Sequence, residues 1–528
     1  MDTTTTRAAI AALAITATAG CSSSAAPEQV SYETSGTFTM ALPGDIGAFD
    51  PYRNGSLISF AALAYDSLIN ISPTGEVISG LAQEWQADAK QAVFTLKEGI
   101  TCSDGTPLKA SQVATDLNFV KDPKNASPLF GTVVPPVPFS VAADDSKRSV
   151  TVTMESPYAF LMHTIGVVPI VCPGGMSNPT QLKDQSDGTG PYVLTQVTPG
   201  VEYTFAVRKD YAWGPGGATT RTPGTPQRIV AKVITDEATA ANLLLSGGLN
   251  ATGVRSATQQ QRLKGHSYGE VTIPMLTGEL WFNQRPDHPG SDEKVRRALV
   301  TALDRIQLAT VATSGQGGPA RGLVASDAQP CKGDTVTGHL PAHDARAAGV
   351  LLDDAGWAKD PSGARSKDGR PLAIHLRYPT SLGEAGTAAM ELIQKEWKNI
   401  GIEVTLTGDD PNGVSRTLFQ TSDFDAYWNP LAFSLPTQAV PFVSGPPSPN
   451  GQNFAAIDNP EYTKNVMEAA TVSGPDGCAL WHRAEQALFD RSDVVPVAQQ
   501  PMTVYLNKAE AKSNQFQLLV PTSIRLLK

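Results

Sequence analysis

The chain has 528 residues, 41% hydrophobic and 17% charged, with a formal net charge of −10. At about 100–200 residues per domain, this length predicts two to four domains. The acidic balance excludes the basic face that a nucleic-acid partner needs, and it excludes adhesion to an anionic membrane through protein charge.

At the N-terminus, Arg7 precedes an apolar run over 8–19 that is too short to span a bilayer. It ends at Thr18-Ala19-Gly20-Cys21, followed by Ser22-Ser23-Ser24-Ala25-Ala26-Pro27. These residues resemble a bacterial lipoprotein signal, with Thr18 where Leu is usual. The resemblance implies a signal peptide over 1–20, cleavage before Cys21 and a diacylglycerol on its sulfur. With palmitate added, the acyl chains would anchor the protein to the outer face of the cell membrane. A Ser/Ala-rich tether over 21–36 would follow. Cys102, Cys172, Cys331 and Cys478 remain. In an exported chain they predict two disulfides, with three possible connectivities. With no CxxC spacing, a zinc or redox motif is not expected.

Downstream, 37–42 alternates like a strand and opens into a loop carrying Asp45, Phe49 and Asp50. A helix leading into a short strand is expected over 61–71, then a strand over 93–96 and a turn at 104–107. Ser111 is read as the cap of a helix with Val113, Leu117 and Val120 on one face. Strands follow over 192–196, 202–208 and 229–234, and Asp236 caps a helix ending at Gly247-Gly248. The segment 280–283 reads as a buried strand ending in the amide of Asn283. A helix should start at Ser291, with Val295, Ala298, Leu299, Ala302 and Leu303 as its apolar stripe. Further helices are expected over 345–357, 386–400 and 475–491, and strands over 402–406, 424–428 and 494–499. Alternating strands and helices predict layered α/β lobes.

Several blocks carry a resemblance. They are Gly80-Leu81-Ala82 with Trp85, then Phe94, Leu96-Lys97 and Gly99-Ile100, and then Asp104-Gly105-Thr106-Pro107-Leu108-Lys109-Ala110 with Val113. Farther along stand Gly188-Thr189-Gly190-Pro191-Tyr192, Phe282-Asn283 with Val295-Arg296, Ala298-Leu299 and Asp304-Arg305, and Leu351-Leu352 with Ala355-Gly356-Trp357. In this order they resemble the family 5 extracytoplasmic solute-binding proteins, the peptide- and nickel-type binding components of ABC importers. The resemblance covers nearly the whole mature chain. It implies an α/β, two-lobed periplasmic-binding-protein-like fold (class II, type C) with an extra subdomain inserted in lobe I. Lobe I would be 27–70, 188–275 and 498–528, the insert 71–187, and lobe II 276–497. Cys102–Cys172 and Cys331–Cys478 are the favoured pairs, because each falls within one proposed domain.

The function implied is capture of an oligopeptide or peptide-like solute between hinged lobes by a monomer, followed by delivery to a permease with its ATPases. The same scaffold could instead bind a metal chelate, a sugar derivative or another amine-free compound, or serve as a sensor without transport. The candidate ligand contacts are Phe49, Tyr192, Asn283, Arg285, Trp428 and Asn429. Peptide-binding members typically carry Trp followed three residues later by an Asp that captures the α-ammonium. Here Trp428 is present but Leu431 stands at the Asp position. Either another carboxylate serves, such as Asp45 or Asp50, or the ligand has no free α-amine. No GxSxG, HExxH or GxxxxGK[ST] signature occurs, so no enzyme activity and no cofactor are expected. The Gly315-Gln316-Gly317-Gly318 stretch reads as a surface loop. His339 and His343 flank Pro341 and are not read as metal ligands.

Overall fold

The computed structural model describes residues 31–55, 60–324, 329–431, 433–513 and 519–528. The expected signal peptide, Cys21 and the expected tether up to residue 30 lie outside the described residues. Two long antiparallel strands, Gly269–Phe282 and Val494–Leu506, form a spine. At one end of the spine, Ala251–Val254 pairs with Val494–Leu506. It is followed in the sheet by Thr37–Leu42, Arg228–Val233, Glu202–Val207 and Tyr192–Thr198. At the other end, Ala426–Trp428 pairs with Leu280, Trp281 and Phe282, then come Ala373–Pro379 and Glu403–Asp409. The spine thus passes from one half of the molecule to the other. Its register slips between Leu276 and Glu279, a bulge that bends the pair where it crosses.

The buried side chains divide at this bulge. One core runs from Phe38 to Ile273 and resumes at Val504; the other runs from Leu280 to Ala498. A separate four-stranded antiparallel sheet, in the order Ala82–Ala87, Gln91–Leu96, Ser149–Met154 and Phe139–Asp144, packs on helix Ala110–Lys121 and shares the first core. Both expected disulfides are present, Cys102–Cys172 and Cys331–Cys478.

Several local expectations are corrected. Of the helix and short strand expected over 61–71, the strand is present as Ile69–Ile71, while the helix is one 3-10 turn, Ala61–Leu63. The Ala64 carbonyl accepts from Gly190 N–H at 2.9 Å, so it is not left to a continuing helix. Ser111 does not cap its helix but sits inside the first turn, where its N–H and hydroxyl both donate to Asp145 at 2.8 and 2.9 Å. Asp292, not Ser291, caps Glu293–Thr301. A second helix, Arg305–Ala312, follows with Asp304 as its cap. The Gly315–Gly318 stretch is a surface turn over 315–317, and its last residue, Gly318, with Pro319 pairs with Gln499 and Ala498 of the spine.

Candidate functional site

A cavity of ≈410 Å³ lies beside the spine where the first core ends. Three of its lining residues are methionines, Met40, Met275 and Met502. Each continues the core-facing row of its strand: Phe38, Met40, Leu42; then Val271, Ile273, Met275; then Met502, Val504, Leu506. Their neighbours in these rows are buried, while the methionines are only partly covered. The flexible thioethers therefore present adaptable apolar surface to the cavity. Phe60 and Leu519 add to that surface, and Gly253 keeps one wall low beside Met502.

Two charged residues line the cavity, Glu237 and Arg255. The Glu237 carboxylate accepts the backbone N–H of Arg255 at 3.2 Å and of Ser256 at 2.8 Å. The Arg255 side chain is exposed, and among the described residues it has no ion-pair partner.

The carboxylates that could have replaced the Asp missing at position 431 are all engaged. Asp45 accepts from the Tyr203 hydroxyl, from Gly200 N–H at 2.8 Å and from Gly47 N–H at 3.1 Å. The Tyr203 hydrogen bond, with the two amides, holds its carboxyl below the usual range. Asp50 accepts from Tyr52 N–H at 2.9 Å and pairs with Arg53 at 2.7 Å. Asp423 pairs with Arg377 at 3.0 Å. Asp425 accepts His375 N–H at 2.8 Å and lies 2.8 Å from His288 Nδ1. Glu279, fully buried in the spine, accepts the Leu431 N–H at 2.9 Å. Its other oxygen has no partner among the described residues, and burial pushes this carboxyl well above the carboxylate range. Glu279 thereby ties Leu431 to the spine.

The six sequence candidates are not brought together. Phe49 is fully buried between Tyr65 and Phe205, at centroid distances of 5.7 and 5.3 Å. Tyr192 is buried with its hydroxyl donating to Pro226 O. Both are core residues here, with no face left for a ligand. Asn283 is fully buried and donates to the carbonyls of Ser422 and Phe424 at 3.1 and 2.9 Å. Arg285 donates to Asn283 Oδ1, to Phe454 O at 2.7 Å and to Ser448 O at 3.1 Å. Together they brace the loops of the second half rather than a cleft.

Trp428 is fully buried over the bulge, its Nε1 donating to Thr277 O at 3.2 Å. A Cβ on Gly278 would lie 2.1 Å from the indole. Trp428 thus locks the crossing and does not offer a stacking face. Asn429 ends the same strand, with its backbone N–H on Glu279 O and its carbonyl receiving Trp281 Nε1. Sequence reading missed the methionine-lined cavity. Its only signal, Met at the end of alternating apolar rows, is identical to that of ordinary core.

Similarity to known proteins resolves the family. Residues 76–475 match the bacterial extracellular solute-binding proteins, family 5 middle. The chain belongs to this family. Protein XP55 of Streptomyces lividans is 27% identical over 457 residues, covering 83% of this chain and 73% of that protein. The nickel-binding periplasmic protein of Escherichia coli K12 is 25% identical over 510 residues, covering 91% and 90%. A substrate-binding protein of Microbacterium hydrocarbonoxydans, solved with 4-hydroxybenzoate hydrazide, superposes with a TM-score of 0.72. It is 27% identical and the match covers 93% of this chain and 99% of that one. Family 5 members are solute-binding components of ABC importers for peptide or nickel-type ligands, and they are transport proteins rather than enzymes. The α/β architecture is the two-lobed fold of these proteins. No helix among the described residues is long and apolar enough to cross a membrane.

Proposed function

We propose that this family 5 protein captures a peptide-like solute lacking a free α-ammonium, at the cavity beside the spine, and delivers it to a membrane permease. The observation that carries this reading is the engagement of the carboxylates weighed as replacements for the Asp absent at position 431, and of Glu237 in the cavity wall, whose carboxylate accepts the backbone N–H groups of Arg255 and Ser256. Asp45, Asp50, Asp423 and Asp425 are held by partners of the protein itself, and Glu279 is buried in the spine against the Leu431 N–H. An α-ammonium enclosed there would lose its hydration and meet only carboxylates already bonded within the protein, Glu237 of the cavity wall among them. Cys21 carries the lipid anchor in this proposal, and the protein works as a monomer. The lobes are 27–70 with 188–275 and 498–528, and 276–497; the subdomain 71–187 closes with the second lobe. None of the six sequence candidates lines this cavity.

A second reading, an amine-free solute that is not a peptide, is favoured by the three thioethers, which suit an apolar group better than a peptide backbone. Native mass spectrometry of the soluble mature protein, with identification of any co-purified molecule, separates the two readings. A blocked peptide supports the first and a non-peptide the second. A peptide with a free N-terminus overturns both.

A further inference from the structure

We infer that the solute is an amphipathic organic acid, its apolar body lying among Met40, Met275 and Met502 and its acidic head held by Arg255. This deepens the reading above and rests on it. Apolar cavities with few polar groups fix a ligand's orientation through those few groups, so the charge at the wall selects the head. Of the two charged residues there, Glu237 has its oxygens turned to the backbone N–H groups of Arg255 and Ser256. Those contacts also fix the chain at Arg255, and Gln500 Nε2 donates to the Arg255 carbonyl at 2.9 Å from the neighbouring spine strand. Arg255 is thereby held at the backbone from two sides while its guanidinium is without an ion-pair partner among the described residues. A guanidinium in that position offers two parallel donors to one carboxylate.

The three methionines supply a body-binding surface of unbranched side chains from three strands, able to reshape around a chain or a ring. A cationic head would meet Arg255 as a like charge. A neutral head would leave it unpaired.

The test uses three probes of equal length, octanoate, 1-octanol and octylammonium, titrated calorimetrically into the ligand-free mature protein. The inference expects octanoate to bind at least about tenfold more tightly than octanol, and octylammonium to bind most weakly. Arg255→Gln should erase the preference for octanoate over octanol. Arg255→Lys, which keeps the charge but loses the fork, should restore part of it. Equal binding of octanoate and octanol, a preference for octylammonium, or an Arg255→Gln variant that still prefers octanoate each overturns the inference. Failure of the broader reading looks different: trialanine then binds as tightly as N-acetyl-trialanine, whatever residue stands at 255.

Discussion

At the scale of single residues, Gly278 and Trp428 decide the geometry of the crossing. The indole occupies the space where a side chain at 278 would begin. Gly278→Ala should therefore destabilise the protein by about 1–3 kcal/mol, as overpacked cores do, measurable by urea unfolding. Trp428→Phe should cost less, since it removes the Thr277 hydrogen bond but keeps a ring. Buried titratable groups give the stability a definite pH dependence. Burial raises the carboxyl of Asp66 to about 6 and that of Glu485 to about 7. Between the unfolded carboxyl values, roughly 4, and these, the native state binds more protons than the unfolded one. Their stabilisation is full below pH about 4 and is lost as pH rises through 6 and 7. Glu485→Gln should flatten the fall near neutrality, seen by comparing urea midpoints at several pH values. His163 acts in the opposite direction. Burial lowers it to about 4, so its stabilisation is lost as pH falls from about 6.5 toward that value.

At the scale of elements, the disulfides brace each half, and contacts between the segment around 158–160 and the second half join the two. Cys102–Cys172 closes a separation of 70 residues and Cys331–Cys478 one of 147. Replacing either pair with alanine should lower stability by about 2–5 kcal/mol, read from the thermal midpoint. The second bridge also belongs to the interface. Cys331, Leu435 and Trp481 cluster with Ala159 and Phe160 of the first half. Around them Tyr158 donates to Thr437 at 3.0 Å, Gln438 to Thr132 O at 2.8 Å and Gly474 N–H to Ala159 O at 2.7 Å. Phe160→Ala removes the ring contact with Trp481, 5.8 Å between centroids. It should shift the ligand-free protein toward open forms, visible as a larger radius of gyration in small-angle scattering. Long periodic elements were legible from sequence, as with the helix stripe at Val295, Ala298, Leu299, Ala302 and Leu303, all buried. The caps at Ser111 and Ser291 were misread. Asp145 reaches the first helix from a distant loop, and Asp292 accepts the Lys294 N–H one residue later. Local sequence carries no trace of the first and only an ambiguous one of the second.

At the scale of the whole molecule, the ordered motif blocks carried the family and the two-lobed α/β fold into view, because they mark turns and helix faces that tertiary structure needs. The glycines at 188 and 190 illustrate this: a Cβ at either would collide with the backbone of Ala64. The site was far less legible. Phe49 and Tyr192 sit in conspicuous motifs because they pack the core, and Asn283 with Arg285 because they tie loops together. The cavity arises only when rows from three strands distant in sequence end at one place, and spacing along the chain does not encode that. Leu431 was the exception, since the absence of an expected carboxylate is visible in one dimension. The central claim is that this cleft takes a solute without a free α-ammonium. It is tested most directly by thermal shift of the ligand-free protein with trialanine and with N-acetyl-trialanine, each at the same concentration. The account predicts stabilisation by the acetylated peptide and none by trialanine; a shift with trialanine equal to or larger than that with its acetylated form would contradict it.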